Sequence, residues 1–433
     1  GLVGSEMCIR DSLIIVVNDN EMSIAENHGG LYQNLKELRD TEGRSSCNFF
    51  RSLGLDYLYV GEGNDIPSLV AAFAKVKDTS RPTVVHIHTQ KGKGYAPAEA
   101  DREEFHWEMP FDLETGKPKV DCSGMEDYHS LTGKFLLEKM KEDHTVVAIS
   151  SGTPTVIGFT PERRKQAGRQ FVDVGIAEEH AVALASGIAA GGGRPVYGVY
   201  STFIQRCYDQ LSQDLCINGN PAVITVFMGT VAGMNDVTHL GFFDIPLISN
   251  IPNMVYLAPT CSEEYFAMLE WAVRQTEYPV AIRVPGVAVV HRKEEFDTDY
   301  SELNRYKMTA RGETVAILAL GSFYDLGQAL KNKLREESGV EATLINPRYI
   351  TGLDEPMLEE LKVGHRIVVT LEDGVLDGGF GEKIARYYGN SEMRVLNYGL
   401  RKEFADRYNL DELMKTNRLT DKQMAEDIAG ILE

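Results

Sequence analysis

The chain has little of three things: cysteine, positive charge and long apolar runs. Its 433 residues include 6 cysteines. Cys8, Cys47, Cys122, Cys207, Cys216 and Cys261 are scattered, and none forms a Cys-x-x-Cys pair. That spacing excludes a disulfide-stapled scaffold and a cysteine-ligated zinc module, and it predicts a reducing, cytoplasmic setting. Lysine and arginine number 44 against 64 aspartates and glutamates, a formal net charge of −20. Such a balance speaks against non-specific binding to nucleic acid or to an anionic membrane, although a local basic pocket remains compatible with it. No apolar run reaches the roughly 18 residues that a membrane-spanning helix needs.

What remains is ordinary globular composition, 43% hydrophobic and 25% charged. At about 150 residues per domain, the length predicts about three domains, each able to bury its own core. Residues 1–12, GLVGSEMCIRDS, lack the basic and apolar regions of a signal peptide. The run Leu13-Ile14-Ile15-Val16-Val17 then starts abruptly as a buried strand. A domain rarely opens inside its own sheet. The expectation is therefore a non-native leader over 1–12 with native sequence upstream, a genuine short tail being the alternative.

Beyond residue 13, apolar strands alternate with helical patterns, which predicts an α/β protein of doubly wound layers. Three blocks stand out. The first, 13–124, has strands at 13–17 and 83–89, a helix near 66–77, and a polar, proline-interrupted loop and linker from 96. The second, 125–305, has strands at 145–150, 195–200, 222–227 and 280–284, helices at 177–190 and near 203–216, and a long irregular loop over 228–250. The third, 306–433, has strands at 314–320, 342–347 and 366–372 alternating with helices at 325–337 and 380–388. Loops beyond the carboxyl ends of parallel strands are where such folds place their chemistry.

Four constellations could carry that chemistry. Asn18-Asp19-Asn20-Glu21-Met22-Ser23 follows the first strand: oxygen donors there suit Mg²⁺, and Asn and Asp are equally common in plain turns. Gln90-Lys91-Gly92-Lys93-Gly94-Tyr95 follows another strand, where glycine and lysine can cradle phosphate or simply turn the chain. Glu178, Glu179 and His180 open an otherwise apolar helix. Capping explains acidic residues there, but an inward carboxylate would be desolvated and its pKa raised, as a proton donor requires. His239 sits in the 228–250 loop beside Asn235 and Asp236, placed either for general acid–base work or for structure. His86 and His88 share one strand face and read as ordinary strand histidines before metal ligands. The glycine clusters 191–193 and 378–381 do not match a dinucleotide fingerprint and read as a helix stop and a turn.

NDNEMSIAEN (18–27), KGKGYAPAE (91–99), FH (105–106), DVGIAEEHAV (173–182), YSTFIQRCYDQ (200–210) and THLGFFD (238–244) occur in one order. In that order the chain resembles thiamine-diphosphate enzymes of the transketolase superfamily, in particular the 1-deoxy-D-xylulose-5-phosphate synthases, over nearly its whole length from Leu13. The resemblance implies three domains of transketolase type, binding diphosphate with Mg²⁺ (incomplete here), binding pyrimidine, and C-terminal. It implies thiamine diphosphate and Mg²⁺ as cofactors, a homodimer, and joining of pyruvate to glyceraldehyde 3-phosphate for isoprenoid synthesis. Carried over, Asn20 and the Met22 carbonyl would hold Mg²⁺. Lys91, Tyr95, Ile176, Phe203 and Arg206 would line the cofactor, and Glu178 would meet its pyrimidine ring. His106 and His239 would handle protons, and Tyr200, Asn235, Asp236 and Arg283 would meet substrate.

The match has gaps. The family's Gly-Asp-Gly metal segment and an upstream histidine are absent, and the 27–49 connection is short. Glu179 stands where the family usually has glutamine. Met228 and Gly286 stand where it usually has arginines for the acceptor phosphate. These departures keep two alternatives open: a related enzyme using an unphosphorylated or different aldehyde, and a cofactor-free regulatory or interaction subunit.

Overall fold

A computed structural model describes residues 12–432 except Met109, residues 120–123 and Val287, so the expected leader over 1–12 lies, but for its last residue, outside the described residues. The chain forms two compact units, 1–125 and 126–433.

In the first unit, β1 (Ile14–Asp19), β2 (Asp56–Val60) and β3 (Thr83–His88) form a parallel sheet in the order β1-β3-β2. Leu35, Leu38, Phe50 and Val84 pack in one cluster, and Val60, Ala72, Val76, Val85 and Ile87 in another. The helix Ile66–Val76 starts where Asp65 accepts from the Ser68 N–H and proline occupies the first turn. The carboxyl ends of β1 and β3 lie side by side, Asp19 opposite His88. That register brings the 18–24 turn next to the 90–95 turn. The segment from 96, expected as a plain loop, contains a short helix, Ala96–Ala100, and a tight turn at Glu104–His106.

In the second unit, β4 (Val146–Ser150), β5 (Phe171–Asp173), β6 (Arg194–Tyr200), β7 (Val223–Phe227), β8 (Val255–Leu257) and β9 (Val280–Arg283) form a parallel sheet in the order β5-β4-β6-β7-β9-β8. All five residues of β7 are buried, the continuous apolar pattern of a strand covered on both faces. The strand order reverses between β4 and β6, which opens a crevice at their carboxyl ends. A second sheet combines β10 (Lys307–Ala310), β11 (Thr314–Ala319), β12 (Thr343–Asn346), β13 (His365–Val375) and β14 (Arg394–Leu400) in the order β10-β12-β11-β13-β14, with β10 antiparallel.

Two expectations for this unit need correction. The 228–250 stretch is not irregular throughout, because Asp244–Ser249 is helical, with Asp244 and Pro246 in its first turn. The helix expected near 203–216 divides into a tight turn, Ile204–Cys207, and a wide, π-type stretch, Gln210–Cys216.

The two sheets share a buried ionic junction. Arg283 ends β9 and is 4% exposed. Its Nε donates to Asp244 Oδ2 at 2.7 Å, and its Nη2 donates to the carbonyls of Gly241 and Asp373 at 3.2 Å each. Nη1 pairs with the Asp373 carboxylate on β13. Tyr256 and Ser322 donate their hydroxyls to Asp244 and Asp373. Burial opposes the charge on Arg283, but the two carboxylates hold its pKa well above the usual arginine range. Backbone bonds reinforce the junction, Ile350 N to Tyr256 O at 2.7 Å and Val375 N to Phe242 O at 3.0 Å.

Next to Asp373, Glu372 accepts the first N–H groups of the helix Phe380–Tyr388, from Phe380 at 2.8 Å and Gly381 at 2.7 Å. The 378–381 glycines therefore lead into a helix start as well as a turn. Burial raises the Glu372 carboxyl to about 7 despite those donors.

Removing the guanidinium should leave two buried carboxylates unpaired. Arg283→Ala is expected to lower unfolding free energy by about 3–5 kcal/mol in urea titrations. A carboxyl raised in the folded state stabilises the protein below its unfolded pKa, and that stabilisation is lost as pH rises through about 7. Between pH 5 and 7.5 the wild type should therefore lose stability more steeply than Glu372→Gln, and parallel slopes would contradict this.

Candidate active site

The crevice between β4 and β6 gathers most of the second unit's expected residues. Asp173, at the end of β5, accepts from the N–H of Gly152 at 2.8 Å and of Gly175 at 2.9 Å. Gly175 adopts a φ of +75°, which lets the chain turn sharply into the helix Glu178–Ala190. Ile176 is left exposed on this turn, a large apolar side chain open for contact. The rest of the helix is apolar and small, and it buries Ala181, Val182, Ala185 and Ala189.

Glu178 is 3% exposed and faces inward, whereas Glu179 is half-buried. Arg206 Nη1 donates to Glu178 Oε2 at 3.0 Å, and Nη2 lies 3.5 Å from Glu179 Oε1. Burial pushes the Glu178 carboxyl up, with its own backbone N–H and Arg206 acting in the opposite direction. The result is a carboxyl raised above its ordinary range at the carboxyl ends of the parallel strands.

Aromatic rings gather at the end of β6. Tyr200 and Phe203 meet edge to face with centroids 5.5 Å apart, and Phe203 meets the His239 ring at 5.5 Å. Thr202 Oγ1 donates to Thr238 O at 3.0 Å, which draws the 228–240 loop over the end of β6. His239 Nδ1 lies 2.8 Å from Thr238 Oγ1 and 3.2 Å from Asp236 Oδ1. With Nδ1 engaged, Nε2 is the nitrogen left for a ligand. The Thr238 hydroxyl holds Asp236 ionised, below the usual carboxylate range, against slight burial.

Arg283 requires a correction. It was expected to meet substrate, but its Nε, Nη1 and Nη2 all donate to Asp244, Asp373 and Gly241, and it is buried in the junction between sheets. Asn235 is also committed, because its Nδ2 donates to Tyr408 O at 3.1 Å and its carbonyl accepts from Arg407 N at 2.6 Å. Met228, where the acceptor-side arginine was missed, has a φ of +57°, strained for a non-glycine residue at a strand end. Its carbonyl lies where a Cβ on residue 241 would stand, so that position requires glycine.

The remaining expected residues lie in the first unit. The turn after β1 carries Asn20, whose Oδ1 accepts from Met22 N at 3.1 Å, and Met22, which bridges to Glu26. These are hard, neutral oxygen donors of the kind Mg²⁺ takes. Among the described residues no cluster of three or more His, Cys, Asp or Glu could hold a metal, so a dication here would need ligand phosphates for charge balance. Lys91 does not stand free beside a phosphate. Its Nζ donates to Ser23 O at 2.8 Å and Ile24 O at 3.4 Å, tying one turn to the other. Tyr95 packs on Phe105 and Phe111, and its buried hydroxyl has no partner among the described residues. His106 is exposed, with its pKa lowered by partial desolvation and by Lys91.

Sequence reasoning missed His129, Asp173 and the Asp19 network. His129 stacks on Phe227 at 4.8 Å, lies 6.2 Å from Tyr200, and donates Nδ1–H to Val156 O at 2.7 Å. Burial lowers its pKa and keeps the ring neutral. No pattern around it distinguishes it from a helix-start residue. Asp19 does have a signal, an acidic residue ending a buried strand opposite His86 and His88.

Comparison with known proteins gives a consistent set. Residues 5–48 match the family described as 1-deoxy-D-xylulose-5-phosphate synthase, 126–289 the transketolase pyrimidine binding domain, and 305–424 the transketolase C-terminal domain. A 1-deoxy-D-xylulose-5-phosphate synthase of Clostridium botulinum (strain Alaska E43) is 32% identical over 453 residues, covering 94% of this chain and 71% of the relative. That of Clostridium beijerinckii is 33% identical, covering 95% and 71%. Among solved structures, a split-gene transketolase described as an inactive β4 tetramer has a TM-score of 0.59 at 20% identity, covering 71% of this chain and 98% of that one. A Pichia stipitis transketolase in complex with sedoheptulose 7-phosphate has a TM-score of 0.57 at 14% identity, covering 98% and 73%. At these identities the two structures show the transketolase-type fold.

Because Arg206 opposes the effect of burial on Glu178, Arg206→Gln should raise the Glu178 carboxyl pKa further. Difference infrared titration of the carboxyl stretch against Glu178→Gln would read this, and an unchanged or lower value would contradict the pairing.

Proposed function

This chain belongs to the 1-deoxy-D-xylulose-5-phosphate synthase family, and on that premise we propose that it is a thiamine-diphosphate-dependent transferase that joins pyruvate to glyceraldehyde 3-phosphate. The products are carbon dioxide and 1-deoxy-D-xylulose 5-phosphate, an isoprenoid precursor. The observation that carries the reading is Glu178: a buried, raised carboxyl at the start of an apolar helix, paired with Arg206.

Thiamine diphosphate, when bound, supplies the electron sink that lets the bond to the pyruvate carboxylate break. Glu178 holds a proton at the pyrimidine ring nitrogen, where its raised pKa suits exchange. Arg206 keeps that carboxyl aimed. Phe203 offers a flat face for the pyrimidine, and Ile176 and Tyr200 exclude water. His239, oriented through Nδ1, moves protons on the donor or acceptor oxygens, and Asp236 keeps its ring in place. In the first unit, Asn20 and the Met22 carbonyl would hold Mg²⁺ against the diphosphate, with Tyr95 and His106 beside it and Lys91 bracing the turn. With Arg283 sequestered, the acceptor phosphate is met by groups other than that guanidinium.

The domain assignment belongs to the same reading: 13–124 diphosphate-binding, 125–305 pyrimidine-binding, 306–433 C-terminal. So does a homodimer, which sedimentation would test.

The deciding assay is pyruvate-dependent release of carbon dioxide with thiamine diphosphate, Mg²⁺ and either glyceraldehyde 3-phosphate or glyceraldehyde. Turnover with the phosphorylated aldehyde, reduced about 10²-fold or more in Glu178→Gln, is the expected result. Turnover only with glyceraldehyde would overturn the acceptor, and no release with either would overturn pyruvate as donor.

A further inference from the structure

The turn that carries Asn20 and Met22 is built around a residue that ligates nothing. Asp19 ends β1 and is 5% exposed. Its Oδ1 accepts from the backbone N–H of Glu21 at 3.1 Å. Its Oδ2 accepts from Arg39 Nη1 at 2.5 Å and from His86 Nε2 at 2.9 Å. His86, wholly buried on the central strand β3, also meets the Tyr57 hydroxyl of β2 through Nδ1 at 2.7 Å. An ionised carboxylate only accepts, so Nε2–H is given to Asp19 and Nδ1 is left to accept from Tyr57. One carboxyl thus links all three strands and the helix Gly30–Asp40 to a single backbone amide.

That amide belongs to the residue that most needs restraint. Glu21 has a φ of +68°, the left-handed region that a non-glycine residue enters only when its surroundings impose it. Directly after it, Asn20 Oδ1 accepts from Met22 N at 3.1 Å. Two side-chain-to-backbone bonds of the same i to i+2 kind therefore follow one another, Asp19 to Glu21 and Asn20 to Met22. On the outside of the turn His88 Nε2 meets Glu21 Oε1 at 2.9 Å, and Lys91 holds the carbonyls of Ser23 and Ile24.

We infer that Asp19 is a positioning residue for the cation: by pinning Glu21 in the left-handed conformation it presents the Asn20 amide oxygen and the Met22 carbonyl as a preformed pair. Asp19 is buried, its Oδ2 is taken by Arg39 and His86, and Arg39 neutralises its charge, so it serves the turn rather than the cation. The inference rests on the reading of Asn20 and Met22 as the ligand pair. Outer residues that orient metal ligands commonly contribute about 10–100-fold in affinity.

The test uses Mn²⁺ as the probe and electron paramagnetic resonance as the readout, on the full chain with thiamine diphosphate. Asp19→Ala should weaken Mn²⁺ binding about 10-fold or more. Glycine enters the left-handed region without steric cost. Adding Glu21→Gly to Asp19→Ala should therefore restore most of the affinity, which a purely structural role for Asp19 would not allow. Asp19→Asn, which keeps an acceptor for the Glu21 N–H, should lie between wild type and Asp19→Ala. Asn20→Ala reports on the ligand reading itself. Wild-type affinity in Asp19→Ala beside loss in Asn20→Ala would overturn the positioning role and leave the ligand reading standing. Loss in Asp19→Ala without rescue by Glu21→Gly would also overturn it. Wild-type affinity in Asn20→Ala, or no Mn²⁺ binding by the wild type, would refute the ligand reading.

Discussion

The second unit depends on where Arg283 is held. One guanidinium at the end of β9 grips Asp244 at the start of a helix, Asp373 on the neighbouring sheet, and the carbonyl of Gly241. Those partners come from two separate stretches of chain, 241–244 and 373, and each carboxylate would be costly to bury without it. The Gly241 contact matters most for chemistry, because Gly241 is two residues from His239. Since Met228 O crowds residue 241, the two ends of the loop are clamped at nearly one point. The arginine expected to touch substrate instead fixes the frame on which the substrate-facing loop is strung.

Two buried carboxylates are treated in opposite ways. Burial opposes ionisation of Asp19, but donors from His86 and Arg39 outweigh it and hold its pKa near 2. Glu178 is just as hidden from solvent yet is raised, because burial there outweighs its own backbone N–H and Arg206, a guanidinium half open to solvent. A carboxyl surrounded by firm donors is a fixed negative strut. One with a single, partly solvated partner can take up and release a proton. The first suits a turn that must not move, and the second suits a group that must titrate.

Much of the architecture was legible because parallel sheets announce themselves. The strands at 195–200, 222–227 and 314–320 are mostly apolar runs, and the structure starts or ends each within one residue of those bounds. Less legible were elements whose signal is weak on its own: the three-residue β5 and β8, the antiparallel β10, and the half-exposed helix Gly30–Asp40. The helix near 203–216 misled because its apolar spacing is helical while its hydrogen bonds are first tight and then wide. At the site, Glu178 was readable from a carboxylate opening an apolar helix. The fate of Arg283 was not, since its partners lie 39 and 90 residues away in sequence. Lys91 likewise bears the right charge for phosphate yet spends it on two carbonyls, a choice that only the adjacency of β1 and β3 explains.

The tether between the 235–239 stretch and the chain near 407 has a further consequence. Asn235 bonds to Tyr408 and Arg407, Val237 N donates to Asp406 Oδ1, and the Tyr408 hydroxyl reaches Val231 O at 2.7 Å. Val231 is buried, but Asn235, Val237, Asp406 and Arg407 are all exposed, on two short segments of chain. Neither can fray without releasing the other, so they open as one cooperative unit. Loosening of the chain near 407 is therefore transmitted to the geometry of His239.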